Sequence, residues 1–145
     1  MRILIQRVKS AAVRVNGHLE ASTGPGILAL IGIRESDGRA EADHLAERMV
    51  ELRIFPDESG KMNLSARDTG AELLLVSQFT LYADCSRGRR PGFEQAARPD
   101  KARELYEYFV EKVRQKGLVT RTGVFQAHMD VELVNDGPVT LLIEK

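Results

Sequence analysis

The sequence predicts an α/β fold in a single compact domain, with strands outweighing two main helices. Three observations carry that expectation. Short apolar runs rich in β-branched residues recur from one end of the chain to the other. Two segments, around residues 42–50 and 102–113, repeat apolar side chains at helical spacing. No linker, internal repeat or low-complexity stretch divides the 145 residues.

Residues 3–8 and 12–15 read as strands, and Asn16-Gly17 is a hairpin turn signal leading into residues 19–22. Gly24-Pro25-Gly26 punctuates the chain before residues 27–33, an unbroken apolar run expected to form a central strand covered on both faces. Ser36 or Asp37 can cap the helix that follows, whose stripe is Ala42, Leu45, Ala46, Met49 and Val50 and whose end falls near Leu52. A polar turn at 57–61 precedes re-entry into the fold at 62–64, and residues 73–81 read as an interior strand. Residues 84–98 are charged, glycine-bearing and interrupted by Pro91, which makes them a loop. The second helix starts at Pro99 or Asp100, carries Ala102, Leu105, Tyr106, Phe109 and Val113 on its apolar stripe, and stops at Gly117. Residues 119–122 read as extended. Met129, Val131 and Leu133 alternate with acids as in a strand with one wet face. Asn135-Asp136-Gly137-Pro138 reads as a turn before a last strand at 139–143.

Hydrophobic residues at 43% and charged residues at 29% describe a soluble globular protein, not a disordered one. No apolar run approaches the roughly 18 residues of a membrane span, and charge returns too early after Met1 for a signal peptide, so no membrane partner and a cytoplasmic location are expected. Cys85 is alone, which excludes an intrachain disulfide and a thiolate cluster. His18, His44 and His128 make no ligand pattern, so neither metal nor cofactor is expected. Lys plus Arg number 21 and Asp plus Glu number 21, a balance that argues against broad charge-driven binding of nucleic acid such as DNA. The charges are polarised, however. Residues 1–16 hold Arg2, Arg7, Lys9 and Arg14 without an acid, and residues 86–98 hold Arg87, Arg89, Arg90 and Arg98 against Glu94 alone. The first helix is acidic. Such a molecule suits a brief contact with one end of an RNA better than a long groove.

No phosphate loop, HExxH helix or nucleophile elbow is present. Ser77-Gln78-Phe79-Thr80 stands out instead, at the end of a hydrophobic strand, where an unpaired buried hydroxyl or amide costs roughly 1–3 kcal/mol. Two readings are open. Ser77 and Thr80 bond to neighbouring backbone while Gln78 faces the second side of the sheet, or the segment lines a ligand site at a strand's carboxyl end. The Gly137-Pro138 pair has the same two sides: a plain turn, or a rigid cis unit, which X-Pro bonds adopt in about 5–6% of cases. Cys85 lies near arginines that would lower a thiol pKa, but no histidine base is evident beside it. His128 reads as a surface or core-edge residue, and the arginines at 87–90 as a solvated face or a phosphate contact.

Taken in order, Arg2 to Val8, Ala12 to Gly17, Arg53-Ile54-Phe55, Gly60 to Leu64, Ser77-Gln78-Phe79-Thr80-Leu81, Gly88 to Phe93, Thr122-Gly123-Val124-Phe125 and Asn135-Asp136-Gly137-Pro138-Val139-Thr140 resemble the D-aminoacyl-tRNA deacylases along nearly the full chain. The resemblance implies one deacylase domain over residues 1–145, with mixed and largely antiparallel β-sheet layers packed with two main helices. It implies a cofactor-free enzyme that hydrolyses the ester of D-aminoacyl-tRNA, and of mischarged glycyl-tRNA, and rejects L-aminoacyl esters. It further implies a homodimer with active sites at the interface. Ser77, Gln78, Phe79 and Thr80 would form the catalytic segment, and Gly137, Pro138 and Met129 the chiral filter. Gly137-Pro138 would be cis and reach into the partner's pocket, while Arg7, Arg87, Arg89 and Arg90 would touch tRNA. Gln126 and His128 depart from the family pattern, standing where a small residue and often an acid are expected, and Gly92 replaces a common serine. These departures fall on the rim of the expected pocket.

Two chemical accounts fit. The Thr80 hydroxyl attacks the ester without an evident base, or the protein positions the ester so that the 2′-hydroxyl of the terminal adenosine assists water while backbone amides around Gln78 to Thr80 hold the oxyanion. The lack of acid–base residues favours the second. Rival classes are an RNA-binding module that docks acceptor ends without cleaving them, and a small-molecule hydrolase using Cys85.

Overall fold

The computed structural model describes residues 1–145 and is organised around one long strand. β1 (Arg2–Val15) is hydrogen-bonded along both edges. On one side it pairs antiparallel with β3 (Gly26–Gly32) along its first half and with β2 (His18–Thr23) along its second. On the other it pairs antiparallel with β8 (Asp130–Glu144). The sheet continues through β6 (Glu72–Ser77) and β7 (Thr120–Thr122), both joined by parallel pairing. β4 (Phe55–Pro56) and β5 (Met62–Leu64) form a separate small ribbon.

The expected classes hold: a mixed, largely antiparallel sheet with two main helices, α1 (Arg39–Glu51) and α3 (Pro99–Arg114). Asn16 and Gly17 both take positive φ, 51° and 78°, the pairing required by a tight turn whose twist matches its strands. β3 and β6 are buried almost throughout, as their unbroken apolar runs require.

Several boundaries differ from the sequence reading. The two amino-terminal strands are one. The cap of α1 is Gly38, not Ser36 or Asp37, and its amide donates to the Glu41 carboxylate at 2.9 Å. Asp37 is buried instead, accepting from the Met1 amino group at 2.6 Å and from the amide and guanidinium of Arg34 at 2.8 and 3.1 Å. A short helix, α2 (Ala66–Thr69), capped by the Ser65 hydroxyl, was not expected. The strand expected over 73–81 stops at Ser77 and turns into a 3-10 helix, Phe79–Tyr82. The strands expected on either side of Gly137-Pro138 are a single strand, β8. Proline is tolerated there because β8 lies at a sheet edge and bulges. Gln6 pairs with Thr140 but Val8 pairs with Asn135, so residues 136–139 are looped out of register.

The main core fills the space between the sheet and α1 and α3, with Phe109, Leu45, Met49, Leu73 and Leu75 fully buried. A smaller cluster of Val8, Val13, Leu28, Leu74 and Val76 occupies the opposite face, and Met129 and Val131 pack on it. Glu72 staples the sheet's far corner. Its carboxylate accepts from the Gly24 amide, the Thr23 hydroxyl and Arg121, and the Gly24 and Thr23 bonds hold it below the usual carboxylate range. No helix is long and apolar enough to cross a membrane.

β3 and β6 approach closely where Gly26 pairs with Glu72. A methyl group on Gly26 would lie 1.9 Å from the Glu72 carbonyl oxygen and 2.8 Å from its carbon. Backbone on both sides leaves nothing flexible to yield. Gly26→Ala should therefore lower the stability by about 3 kcal/mol. Gly24→Ala, where the added methyl meets nothing within 4 Å, should change it by less than about 0.5 kcal/mol. Urea denaturation of the two variants checks the contrast.

Candidate active site

β6 delivers the candidate site. Its last residue, Ser77, pairs with Ile31 of β3, and the Gln78 amide still bonds to the Ile31 carbonyl at 2.7 Å. The chain then leaves the sheet and coils over Gly32, whose missing side chain leaves room for Leu81 and for the Gln78 carbonyl. The amides of Phe79 and Thr80 open this turn, where an N–H has no acceptor within the helix, and no side chain accepts from either. Phe79 is 54% exposed and meets Phe93 edge to face, with ring centroids 5.1 Å apart. The Gln78 amide nitrogen donates to the Thr80 hydroxyl oxygen.

Beside the turn lies a cleft of about 710 Å³, a size suited to a small ligand. Ser77, Gln78 and Phe79 form one wall, the segment from Phe93 to the first turn of α3 another, and residues 125–129 a third. Val76, Met129 and Val131 line it too, so the cleft opens from the smaller hydrophobic cluster. The third wall is fixed from behind. The Gly123 amide and the buried Tyr106 hydroxyl both donate to the Leu75 carbonyl at 2.9 Å, and burial raises the Tyr106 phenol above its ordinary pKa. Arg103 lies over the Phe125 ring at 4.7 Å and donates to the Gln126 side chain at 3.1 Å. The Val124 amide points to the Met129 sulfur at 3.3 Å, and that sulfur fills the space where a Gly123 side chain would stand.

The structure brings together Ser77, Gln78, Phe79 and Met129. Thr80 does not line the cleft. Gly137 and Pro138 do not line it either; they sit exposed on the β8 bulge, joined by a cis peptide bond. Arg87, Arg89 and Arg90 are exposed on the loop closed by the Asp84–Gly92 backbone pair, outside the cleft.

The Arg7 guanidinium is buried under the bulge. Nε bonds to the Asp136 carboxylate at 2.8 Å and to the Asp136 carbonyl at 3.2 Å, and Nη1 donates to the Ile54 carbonyl at 2.5 Å. Asn135 completes the clamp by donating to the carbonyls of Arg7 and Val139 at 2.9 and 3.1 Å. Arg7 is thus a positioning residue for residues 135–139, opposite the register shift of β1 against β8.

Sequence reasoning missed Ala97, Arg98 and Ala102 as lining residues, and it put Gln126 and His128 beside the pocket where the structure puts them in its lining. Alternation gave some signal for His128. Nothing in the pattern around Arg98 distinguishes it from a solvated helix start.

Fold and cleft define a small α/β protein with an apolar, aromatic pocket beside the 3-10 turn that ends its central parallel strand. The profile of the D-Tyr-tRNA(Tyr) deacylase family matches residues 4–144. The chain is 55% identical over 144 residues to a D-aminoacyl-tRNA deacylase of Koribacter versatilis, covering 99% of this chain and 97% of that one. It is 56% identical over 144 residues to the D-aminoacyl-tRNA deacylase of Heliobacterium modesticaldum, covering 99% and 96%. Among solved structures, one described as a c-Myc DNA unwinding element binding protein superposes with a TM-score of 0.94 at 38% identity, covering 100% of this chain and 99% of that one. A probable eukaryotic D-amino acid tRNA deacylase shares the fold, with a TM-score of 0.85 at 17% identity over 99% and 98% of the two chains. The chain belongs to the D-aminoacyl-tRNA deacylase family.

The Arg7 clamp is testable. Arg7→Lys keeps the charge but cannot span the Ile54 and Asp136 acceptors with a rigid fork. Losing one charged hydrogen bond should cost roughly 2 kcal/mol, read as a lower urea midpoint with an unchanged slope.

Proposed function

We propose that the cleft binds the aminoacylated 3′ end of tRNA and hydrolyses the ester of a D-amino acid, releasing free D-amino acid and tRNA. Family membership supports the enzyme class, a carboxylic ester hydrolase acting on D-aminoacyl-tRNA. The observation that carries the chemistry is the pair of amides at Phe79 and Thr80 that open the 3-10 turn next to the cleft wall. An ester carbonyl directed at them would place its developing negative charge against two fixed N–H dipoles.

No carboxylate lines the cleft, and the Thr80 hydroxyl is occupied by Gln78 and backed by no base. Water is therefore the nucleophile. Its oxygen bonds to the carbonyl carbon, the bond to the ribose oxygen breaks, and a proton passes to that oxygen with help from the neighbouring ribose hydroxyl. The protein supplies position and oxyanion stabilisation.

Stereoselection is assigned to Gly137 and Pro138 of a second subunit. The dipeptide is exposed, held by Arg7 and Asn135, and absent from its own chain's cleft, all of which suit an element that completes a neighbour's site. Leu133, Val134, Leu141 and Leu142 are exposed along the same edge strand and supply apolar surface for a homodimer. Carbonyls of the dipeptide would collide with an L side chain and leave space for a D side chain or for glycine. Mischarged glycyl-tRNA is accordingly a second substrate. Met129 would floor the pocket, while Arg87, Arg89 and Arg90 would meet phosphates of the acceptor end. The whole of residues 1–145 acts as one deacylase domain, in the cytoplasm with its substrate.

Release of amino acid from matched D-Tyr-tRNA and L-Tyr-tRNA tests the reading. Loss of the D-ester with the L-ester spared is expected, and equal loss of both would remove the stereochemical filter. In the same assay Thr80→Ala should retain its rate to within about tenfold, because its amide remains. Abolished activity in a folded Thr80→Ala protein would make the hydroxyl the nucleophile.

A further inference from the structure

Charge in the cleft is one-sided. Among its lining residues Arg98 is the one permanent cation, His128 is the one other ionisable side chain, and there is no Asp or Glu. Arg98 stands just before the first turn of α3, exposed, and its guanidinium enters no ion pair or hydrogen bond. The nearby carboxylate of Glu35 is directed elsewhere, accepting from the Arg98 backbone amide at 3.2 Å. Most arginines in the molecule are treated differently: Arg2, Arg7, Arg14, Arg34, Arg39, Arg67, Arg103 and Arg121 all face an acid.

A free guanidinium in a cleft walled by Phe79, Phe93 and Phe125 combines two kinds of recognition. The aromatic faces suit a base, and the planar fork suits a phosphate. We propose that Arg98, assisted by His128, binds the phosphate on the 5′ side of the terminal adenosine, so that the cleft recognises a nucleotide rather than a bare nucleoside ester. The inference rests on reading the cleft as the deacylase site, and it adds a contact separate from the arginines of the 84–92 loop. The two side chains come from different walls, the start of α3 and the 125–129 arm. A phosphate held between them fixes the ribose, and with it the ester, relative to the Phe79 and Thr80 amides. Placing an acid at position 128 would oppose that phosphate, so the histidine here favours it.

Adenosine 5′-monophosphate and adenosine are the probes, titrated calorimetrically into the full-length protein and used as competitors of D-Tyr-tRNA hydrolysis. The wild type should bind the monophosphate about tenfold more tightly than adenosine, the scale of one charge-assisted hydrogen bond. Arg98→Ala should abolish that preference and leave adenosine binding intact, with the loss in D-Tyr-tRNA hydrolysis falling on KM rather than kcat. Arg98→Lys should restore part of the preference, and His128→Asp should reduce it. Equal affinities for the two probes in the wild type, no measurable binding of either, or an undiminished preference in Arg98→Ala would overturn the phosphate contact. Failure to release D-tyrosine would instead condemn the deacylase reading, while the calorimetric comparison would still report on Arg98.

Discussion

A strand of 14 residues bonded along both edges cannot change register without displacing two lanes of chain together, and β1 is such a strand. One lane, β2 and β3, leads onward to β6 and so sets where Ser77 and the following turn emerge. The other lane, β8, carries Gly137 and Pro138. Arg7, on β1 itself, reaches across to hold the bulge of β8. The turn after β6 and the bulge of β8 are therefore referred to the same strand.

The turn after β6 is held by backbone rather than by catalytic side chains. Gln78 bonds back to Ile31, and the coil packs on Gly32. Oxyanion stabilisation by main-chain dipoles, the role proposed for this turn, needs no titrating group. The ionisable side chains nearest the sheet serve structure. Tyr106 is tied to Leu75 and buried, and Tyr82 is pushed up to about 12 by burial, so neither ionises near neutrality.

Electrostatics divides the surface by purpose. Acids of α1 pair with Lys112, Lys116 and Arg67, leaving that face internally neutral. Arg87, Arg89 and Arg90 on the 84–92 loop and Arg98 in the cleft lining are exposed instead, and none of the four faces an acid. A protein with no net charge can thereby present one local anion-seeking region without a general affinity for nucleic acid.

Local patterns in the sequence determined a great deal. The alternation in the strands, the stripes of α1 and α3 and the Asn16-Gly17 hairpin all depend on neighbours a few residues apart, whereas α3 ends at Arg114, short of the stop expected at Gly117. The order of family motifs marked Ser77, Gln78, Phe79 and the Gly137-Pro138 pair for attention. What only tertiary structure decided involves partners far apart in the chain. Asp37 became a buried anchor for the Met1 amine instead of a helix cap, since the two meet across the fold. Residues 136–139 bulge within one strand whose flanks, Asn135 and Thr140, both pair with β1, which no local turn rule registers. Arg7 turns inward to Asp136, and Arg98 faces the cleft unpaired, although both are merely basic residues in the sequence. Periodicity records which face a side chain occupies; the groups it meets there are set by the packing of distant segments.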